Sequence, residues 1–252
     1  MPASLIADRT DPLPLVLIAL SAVTGLVDGV SVLGLGQVFV ANMTGNTVFL
    51  GFAVGGAPGF EVPRYVAALL AFLAGALAGG WVANAFARST RRWWLLTVAA
   101  AEAALFWIAA AVAVGYDTAS LSPPARLFAL IGLTAFAMGL RNASVRRLKV
   151  PDLTTTVLTL TLTGLAADSW LSGGENSNWR RRVAAVLATF VGAVVGAVLV
   201  RMTGLVVPLV ITGAVVLGVT LAYSAHPASR RTAAEPGRPS TGTDRELHPN
   251  AT

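Results

Sequence analysis

The sequence contains no cysteine, which excludes disulfide bonds, iron–sulfur clusters and thiol catalysis. Its only histidines, His226 and His248, lie in the polar carboxy-terminal segment, so the sequence predicts no buried histidine metal site. A serine–histidine–aspartate catalytic set is not expected for the same reason, and no Walker-type phosphate loop is found. We therefore expect neither an enzyme nor a bound cofactor.

Charge is also scarce. Charged residues make up 12% of the 252 residues, which is about half of their share in a soluble domain. Hydrophobic residues make up 55%. Basic residues that flank membrane spans explain the net charge of +6, so we expect no nucleic-acid partner. The composition predicts an all-α polytopic protein of the lipid bilayer.

Apolar segments follow one another along the chain, and several reach the length of about 20 residues that crosses a bilayer. They cover approximately residues 13–33, 36–55, 63–87, 93–115, 125–146, 152–168, 182–201 and 203–223. We expect a single membrane domain over residues 12–223. Residues 1–11 do not resemble a cleaved signal peptide and are predicted to form a cytoplasmic tail. Residues 224–252 are rich in proline, serine and charge, and are predicted to be disordered.

The chain contains an internal repeat. Residues 64–80, RYVAALLAFLAGALAGG, align without gaps with residues 181–197, RRVAAVLATFVGAVVGA. The alternative explanation is that two helices rich in alanine, valine and glycine resemble each other by composition alone. Further matches at corresponding places weaken that alternative: GLVD at 25–28 with GLRN at 139–142, and NMTGN at 42–46 with DLTTT at 152–156. The chain therefore divides into repeats of about residues 12–116 and 117–223.

Arginine clusters predict how the two repeats are oriented. These clusters are Arg88, Arg91 and Arg92, then Arg141, Arg146, Arg147 and Lys149, then Arg180, Arg181 and Arg182. If all are cytoplasmic, the sixth segment begins and ends on one side of the membrane and is re-entrant. By the repeat, the second segment is re-entrant from the opposite side. The prediction is two inverted repeats, each with three transmembrane helices plus one re-entrant or broken helix, and both termini in the cytoplasm. The rival arrangement is eight full crossings in two parallel halves.

Polar residues interrupt both of the segments predicted to be re-entrant. They are Asn42, Thr44, Gly45 and Asn46 in the second segment, and Asp152, Thr154, Thr155 and Thr156 in the sixth. Paired broken segments in inverted halves indicate the binding site of a transporter. We expect the helix to open at Gly45, with free N–H groups facing a cavity, and Asp152 to cap the matching helix. The alternative is that these residues only cap and connect helices.

Asp28 lies deep in the first apolar segment, where a carboxylate is costly and marks a functional candidate. The repeat pairs Asp28 with Asn142 and Asn42 with Asp152, so each half owns one aspartate and one asparagine. We hypothesise that these residues and the threonines face one central cavity, with Asp28 as the proton- or cation-coupling group. The alternative for Asp28 is a hydrated helix end.

Two other features have more than one interpretation. Glu102 is predicted either to pair with Arg126 or a cavity-facing asparagine, or to have a function of its own. Glycines four residues apart allow helices to approach closely. They are Gly75 and Gly79, and Gly192 and Gly196. These pairs either meet within the chain or form a homodimer with a second copy.

The stretches GLVDGVSVLGLGQVFVANMTGNTVFLG and GLRNASVRRLKVPDLTTTVLTLTLTGLAADS resemble the YoaK-type family of bacterial integral membrane proteins, a domain of unknown function. The resemblance covers roughly residues 12–223. It implies a location in the bacterial cell (inner or plasma) membrane and supports Asp28, residues 42–46 and residues 152–156 as marked positions, but it implies no substrate. The swapped aspartate and asparagine pairs and the duplicated broken helices favour a secondary transporter or permease for a small polar or anionic solute, with proton coupling as an option. The alternatives are a non-transporting structural or regulatory membrane protein, or a channel.

Overall fold

A computed structural model describes residues 12–148, 158–174 and 178–230. Their regular structure is helical, apart from isolated β-bridge residues, among which Asp117 pairs with Ser122. The helices are α1 (Leu13–Gly34), α2 (Met43–Val54), α3 (Val62–Ala85), α4 (Arg91–Val112), α5 (Pro124–Leu148), α6 (Leu158–Ala167), α7 (Trp179–Thr203) and α8 (Val206–Ala225). Short 3-10 turns lie at Trp170–Ser172 and Pro227–Arg230.

Six of these helices are long and apolar enough to cross a membrane: α1, α3, α4, α5, α7 and α8. Each has 20 to 25 residues, which corresponds to at least about 30 Å of helix and matches the hydrocarbon thickness of a bilayer. By contrast, α2 has 12 residues and α6 has 10, so each is only about 15–18 Å long. The predicted all-α membrane fold is confirmed, and over the described residues α2 and α6 are too short to cross the bilayer.

The six long helices run in two opposite directions. The α1–α7 pair is parallel, because Gly25 lies against Thr189 and Gly29 against Ala193. The α3–α5 pair is parallel as well, since α3 glycines at 75 and 79 meet α5 at Phe136 and Leu140. The α4–α8 pair is antiparallel.

Contacts at the helix ends relate these pairs to one another. The Tyr116 hydroxyl, just after α4, donates a hydrogen bond of 3.2 Å to the Gly34 carbonyl at the end of α1. Burial raises the pKa of Tyr116 to about 12, so it stays a donor. Leu205, before α8, lies against Gly34, and Leu130 near the start of α5 lines the same small cavity as Leu205. Thus α1, α4 and α7 end where α3, α5 and α8 begin.

We call the end where α1 begins and α8 finishes the arginine-rich end. The described arginines near it are Arg88, Arg91, Arg92, Arg146, Arg147, Arg180, Arg181, Arg182 and Arg230. Those near the opposite end are Arg64, Arg126 and Arg201. Because α1 ends and α3 begins at the opposite end, the connecting segment 35–61, which contains α2, starts and finishes at that end. The connection between α5 and α7, which contains α6, starts and finishes at the arginine-rich end.

Glycines bring the parallel pairs into close contact. A methyl group at Gly75 or Gly139 would collide with backbone atoms across the α3–α5 contact, and one at Gly25 or Gly192 would collide across the α1–α7 contact. Gly79 and Gly196 are in similar positions against Leu140 and Leu26. Another helix of the same chain therefore covers Gly75, Gly79, Gly192 and Gly196, and a homodimer through the α3 or α7 helices stays a prediction.

Some expectations need correction. The break expected at Gly45 in the segment 36–55 lies earlier in the chain: residues 35–42 are non-helical, and Gly36 and Gln37 have φ of 74° and 64°. Residues 224–230, assigned to a disordered tail, complete α8 and a 3-10 turn. Residues 1–11 and 231–252 of the predicted tails lie outside the described residues.

Arg141 does not belong to a surface arginine cluster. Instead, it lies inside α5, where its guanidinium pairs with Glu102 of α4, and both side chains are 2% exposed. The suggested partner of Glu102, Arg126, instead donates a hydrogen bond of 2.6 Å to the Val114 carbonyl.

We predict that Gly75→Ala destabilises the purified protein, because the new Cβ would push α3 away from the Phe136 carbonyl. The expected cost is about 1–3 kcal/mol, measured as a lower melting temperature in detergent. Gly80→Ala, on the same helix, is the matched control, since a Cβ there meets nothing within 4 Å. Equal melting temperatures for the two variants would contradict the packing described for α3.

Candidate functional site

Asp28 supports the non-helical segment between α1 and α2. Its Oδ1 accepts hydrogen bonds from the N–H groups of Val40 (3.1 Å) and Ala41 (2.9 Å). Backbone N–H groups at membrane depth need such partners, because lipid provides none. A half-buried carboxylate of α1 therefore holds the chain just before α2 begins.

Asn46 supports the same segment from the other side. Its side chain is fully buried (0% exposed) and forms two hydrogen bonds with Phe39: Nδ2 donates to the carbonyl oxygen at 2.6 Å, and Oδ1 accepts from the N–H at 2.9 Å. The Asn46 amide thus satisfies both backbone hydrogen-bonding groups of Phe39. Asn46 is occupied by the protein and does not face a cavity.

The start of α2 differs from the predicted opening at Gly45. Asn42 is the N-cap, and its Oδ1 accepts a hydrogen bond of 3.2 Å from the Gly45 N–H. Gly45 lies within the first turn of the helix, and a Cβ there would come within 2.7 Å of the Phe39 ring. A glycine is therefore needed at position 45, because the Phe39 ring lies too close for a larger side chain. The break in the chain occurs earlier, over residues 35–42.

An aromatic cluster attaches α2 to α3. Phe49 stacks on Phe39 with ring centroids 5.8 Å apart and contacts Phe60 at 5.2 Å and Tyr65 at 6.0 Å. Phe52 completes the cluster against Phe60 at 5.4 Å. Such aromatic pairs add about 0.5–1.5 kcal/mol each beyond their buried area. The short helix is thus fixed to a long one, although it is too short to cross the membrane.

A cavity of about 720 Å³ lies between α1, α2, α6 and α7. The described residues that line it are Thr24, Asp28, Ala41, Asn42, Thr44, Gly45, Val48, Phe49, Leu158, Thr159, Leu160 and Thr189. Its volume falls within the usual range for small-molecule sites, and like most of them it combines apolar walls with a few polar groups.

The structure brings together part of the predicted site. Asp28, Asn42, Thr44 and Gly45 line the cavity, whereas Asn46 is buried behind it. Asn142 lies on α5 and is not among the described residues lining this cavity. Its buried amide atoms have no hydrogen-bond partner within the described parts of the chain. Four further predicted residues lie outside the described residues: Asp152, Thr154, Thr155 and Thr156.

Three lining threonines were not predicted from the sequence: Thr24, Thr159 and Thr189. Thr24 is one helical turn before Asp28, so the i, i+4 spacing was a signal that could have found it. Thr189 comes from α7, where an alanine- and valine-rich sequence gives no such signal. Its position depends on the parallel contact of α7 with α1.

The lining favours ligands that donate hydrogen bonds. The Thr24 and Thr189 hydroxyls donate within their own helices, to Leu20 and Ala185 carbonyls at 3.0 and 2.9 Å, which leaves their oxygens as acceptors. Asp28 adds a carboxylate, and none of the described lining residues is arginine or lysine. The described part of the lining therefore offers several hydrogen-bond acceptors to a polar ligand.

Six long apolar helices define a multi-pass helical membrane protein, and the polar cavity lies between two of them, α1 and α7, and the two short helices. The chain belongs to the family described as "Protein of unknown function (DUF1275)", which it matches over residues 16–222. It is 31% identical over 144 residues to the UPF0700 transmembrane protein YoaK of Bacillus subtilis (strain 168), an alignment that covers 57% of this chain and 61% of the relative. The chain thus spans about three fifths of that relative's length. No solved structure matches the chain.

We predict that Asn46→Asp destabilises the protein by about 1–3 kcal/mol, because a carboxylate cannot donate to the Phe39 carbonyl and leaves it unpaired. Thermal unfolding in detergent measures the effect. Thr47→Ser, at the next and exposed position of α2, is the control and retains its hydroxyl donor to Met43. A wild-type melting temperature for Asn46→Asp would show that the Asn46–Phe39 pair does not hold the segment.

Proposed function

We propose that the protein is a secondary transporter or permease for a small polar solute, and that the 720 Å³ cavity is its binding site. The observation that carries the proposal is that two helices too short to cross a membrane meet two long helices around hydrogen-bonding side chains. Interrupted segments at membrane depth are tolerated where they line a cavity. The acceptor-rich lining supports a solute with N–H or O–H donors.

The proposed architecture is two inverted repeats, each with three spans and one re-entrant segment. If α1–α4 are equivalent to α5–α8 in order, each contact in one half should have a counterpart in the other. The α1–α7 contact then corresponds to α5–α3, and the α1–α8 contact to α5–α4, and all four contacts are present. The opposite directions of α1 and α5 support the inversion. Equivalent glycines support it further, because Gly75 and Gly192 occupy matching places against α5 and α1.

The same arrangement supports an orientation in the bacterial cell membrane. Arginines flank cytoplasmic helix ends more than outer ones. We therefore assign the arginine-rich end to the cytoplasm, where α1 begins and α8 ends, which places both termini there. The segment with α2 then enters from outside, and the segment with α6 enters from the cytoplasm.

A non-transporting role as a structural or regulatory membrane protein is the second candidate. The hydrogen bonds of Asp28 and Asn46 favour it, since both side chains stabilise the backbone of residues 39–41. These bonds explain the polar residues without any solute. A channel stays an alternative function. That the protein is not an enzyme and that Asp28 couples transport to protons or cations both stay predictions.

Uptake into proteoliposomes tests the transport proposal. With a panel of small polar solutes, with and without a pH gradient, we expect accumulation of at least one solute by the wild type. Thr44→Val should reduce that uptake about tenfold, because loss of one hydrogen bond in the cavity costs about 1.4 kcal/mol. Thr47→Val is the matched control, since Thr47 does not line the cavity. Loss of the pH-gradient dependence in Asp28→Asn would support the coupling role.

Equal uptake by Thr44→Val and wild type would show that the solute does not bind in this cavity. If no solute in the panel accumulates in wild-type vesicles while the protein stays folded, the non-transporting role is favoured.

Labelling of single cysteines tests the orientation, because the chain has no native cysteine. We expect a membrane-impermeant maleimide to label Ala119→Cys, in the α4–α5 loop, in intact cells. Ser89→Cys, in the α3–α4 loop, should be labelled only after the cells are permeabilised. The reverse pattern would place the arginine-rich end outside and contradict the assignment.

A further inference from the structure

Glu102 and Arg141 form an ion pair inside the helix bundle, away from the 720 Å³ cavity. Glu102 lies midway along α4, and the Nη2 of Arg141 on α5 contacts its Oε1. Both side chains are 2% exposed. Charged groups at membrane depth cost several kcal/mol even when paired, so they are usually retained for a function.

Helix packing alone does not explain this pair. The neighbouring α1–α8 interface is formed without any ion pair, because α8 contains no charged residue and α1 contains only Asp28. At the α1–α8 interface, apolar side chains stand where α4 and α5 have the ion pair. They include Val27, Leu205 and Leu209. Apolar side chains of similar volume often stabilise such an interface as well as a buried ion pair does.

A small cavity of about 30 Å³ adjoins both charged side chains. Its lining extends from Glu102 and Arg141 to Leu148, Leu13 and Tyr223 at the arginine-rich end of the bundle. Seven residues of α5 separate Arg141 from Leu148, which is about 10 Å along the helix. The cavity is therefore large enough for water and lies between the ion pair and the cytoplasmic side of the proposed orientation.

Polar groups in this cavity have hydrogen-bonding capacity left over. The Nε and Nη1 of Arg141 have no hydrogen-bond partner within the described residues. Ser144 and Thr220, which also line the cavity, donate to carbonyls of their own helices and keep their oxygens as acceptors. Buried donors without partners are costly, so water is the expected partner here.

We propose that Glu102, paired with Arg141, is a proton-binding site that water reaches from the arginine-rich end. A hydronium ion transfers its proton to a Glu102 carboxylate oxygen: one O–H bond of hydronium breaks, the carboxylic O–H bond forms, and a water molecule remains. Arg141 keeps its charge and donates to the neutral acid and to water. Of the elements around the cavity, α5 faces Glu102 with Arg141 and α8 contributes Tyr223, while α1 contributes only apolar side chains.

Infrared difference spectroscopy of the protein in lipid tests this site without any transported solute. Acidification should produce a carboxylic acid C=O band that shifts in D2O. We expect this band to be lost in Glu102→Gln and retained in Asp28→Asn, which is the matched control and removes the carboxyl group of α1. Because no uptake is measured, the result is independent of the proposed transport function.

Glu102→Gln leaves the Arg141 charge unpaired and could prevent folding. The double variant Glu102→Gln/Arg141→Met removes both charges and should fold, again without the band. A band that persists in the double variant, or one that disappears in Asp28→Asn instead, would overturn the proposal. So would the absence of a D2O-sensitive acid band from the wild type at every pH at which it stays folded.

Discussion

The structure depends on one constraint: inside a membrane every backbone N–H and C=O group needs a partner within the protein. Residues 35–42 leave helical geometry, and their groups cannot all bond along a helix. Asp28 from α1 and Asn46 from α2 supply partners for Phe39, Val40 and Ala41. These bonds determine where α2 begins and how it meets α1. The wall of the large cavity is a consequence of that arrangement.

Close helix contacts provide the frame in which this segment lies. Lipid is as apolar as leucine, so membrane helices gain little from hiding apolar surface and rely on packing instead. Glycines on α1, α3, α5 and α7 let two parallel pairs approach closely, each pair joining one half of the chain to the other. The short helices α2 and α6 contact α3 and α7, members of these pairs. The cavity between α1, α2, α6 and α7 therefore contains side chains from both halves.

Sequence patterns predicted the helices well and the roles of single residues less well. The positions of the six long helices follow from apolar runs, which are local properties. Asp28, Asn42, Thr44 and Gly45 were also found, because polar residues are rare in such runs. The buried position of Asn46 and the requirement for Gly45 depend on Phe39, and the pairing of Glu102 depends on α5. No local pattern specifies those partners.

The sequence by itself determined that the chain is a helical membrane protein, which stretches are long enough to cross the bilayer, and where polar residues interrupt them. These follow from composition and length, since the cost of placing each residue type in lipid is nearly independent of its neighbours. Only the tertiary structure decided which polar groups satisfy the backbone and which remain available to a ligand. That choice depends on distances between helices far apart in the chain, and Arg141 illustrates it: as part of an arginine cluster it reads as a surface residue, yet its partner on α4 holds it in the core.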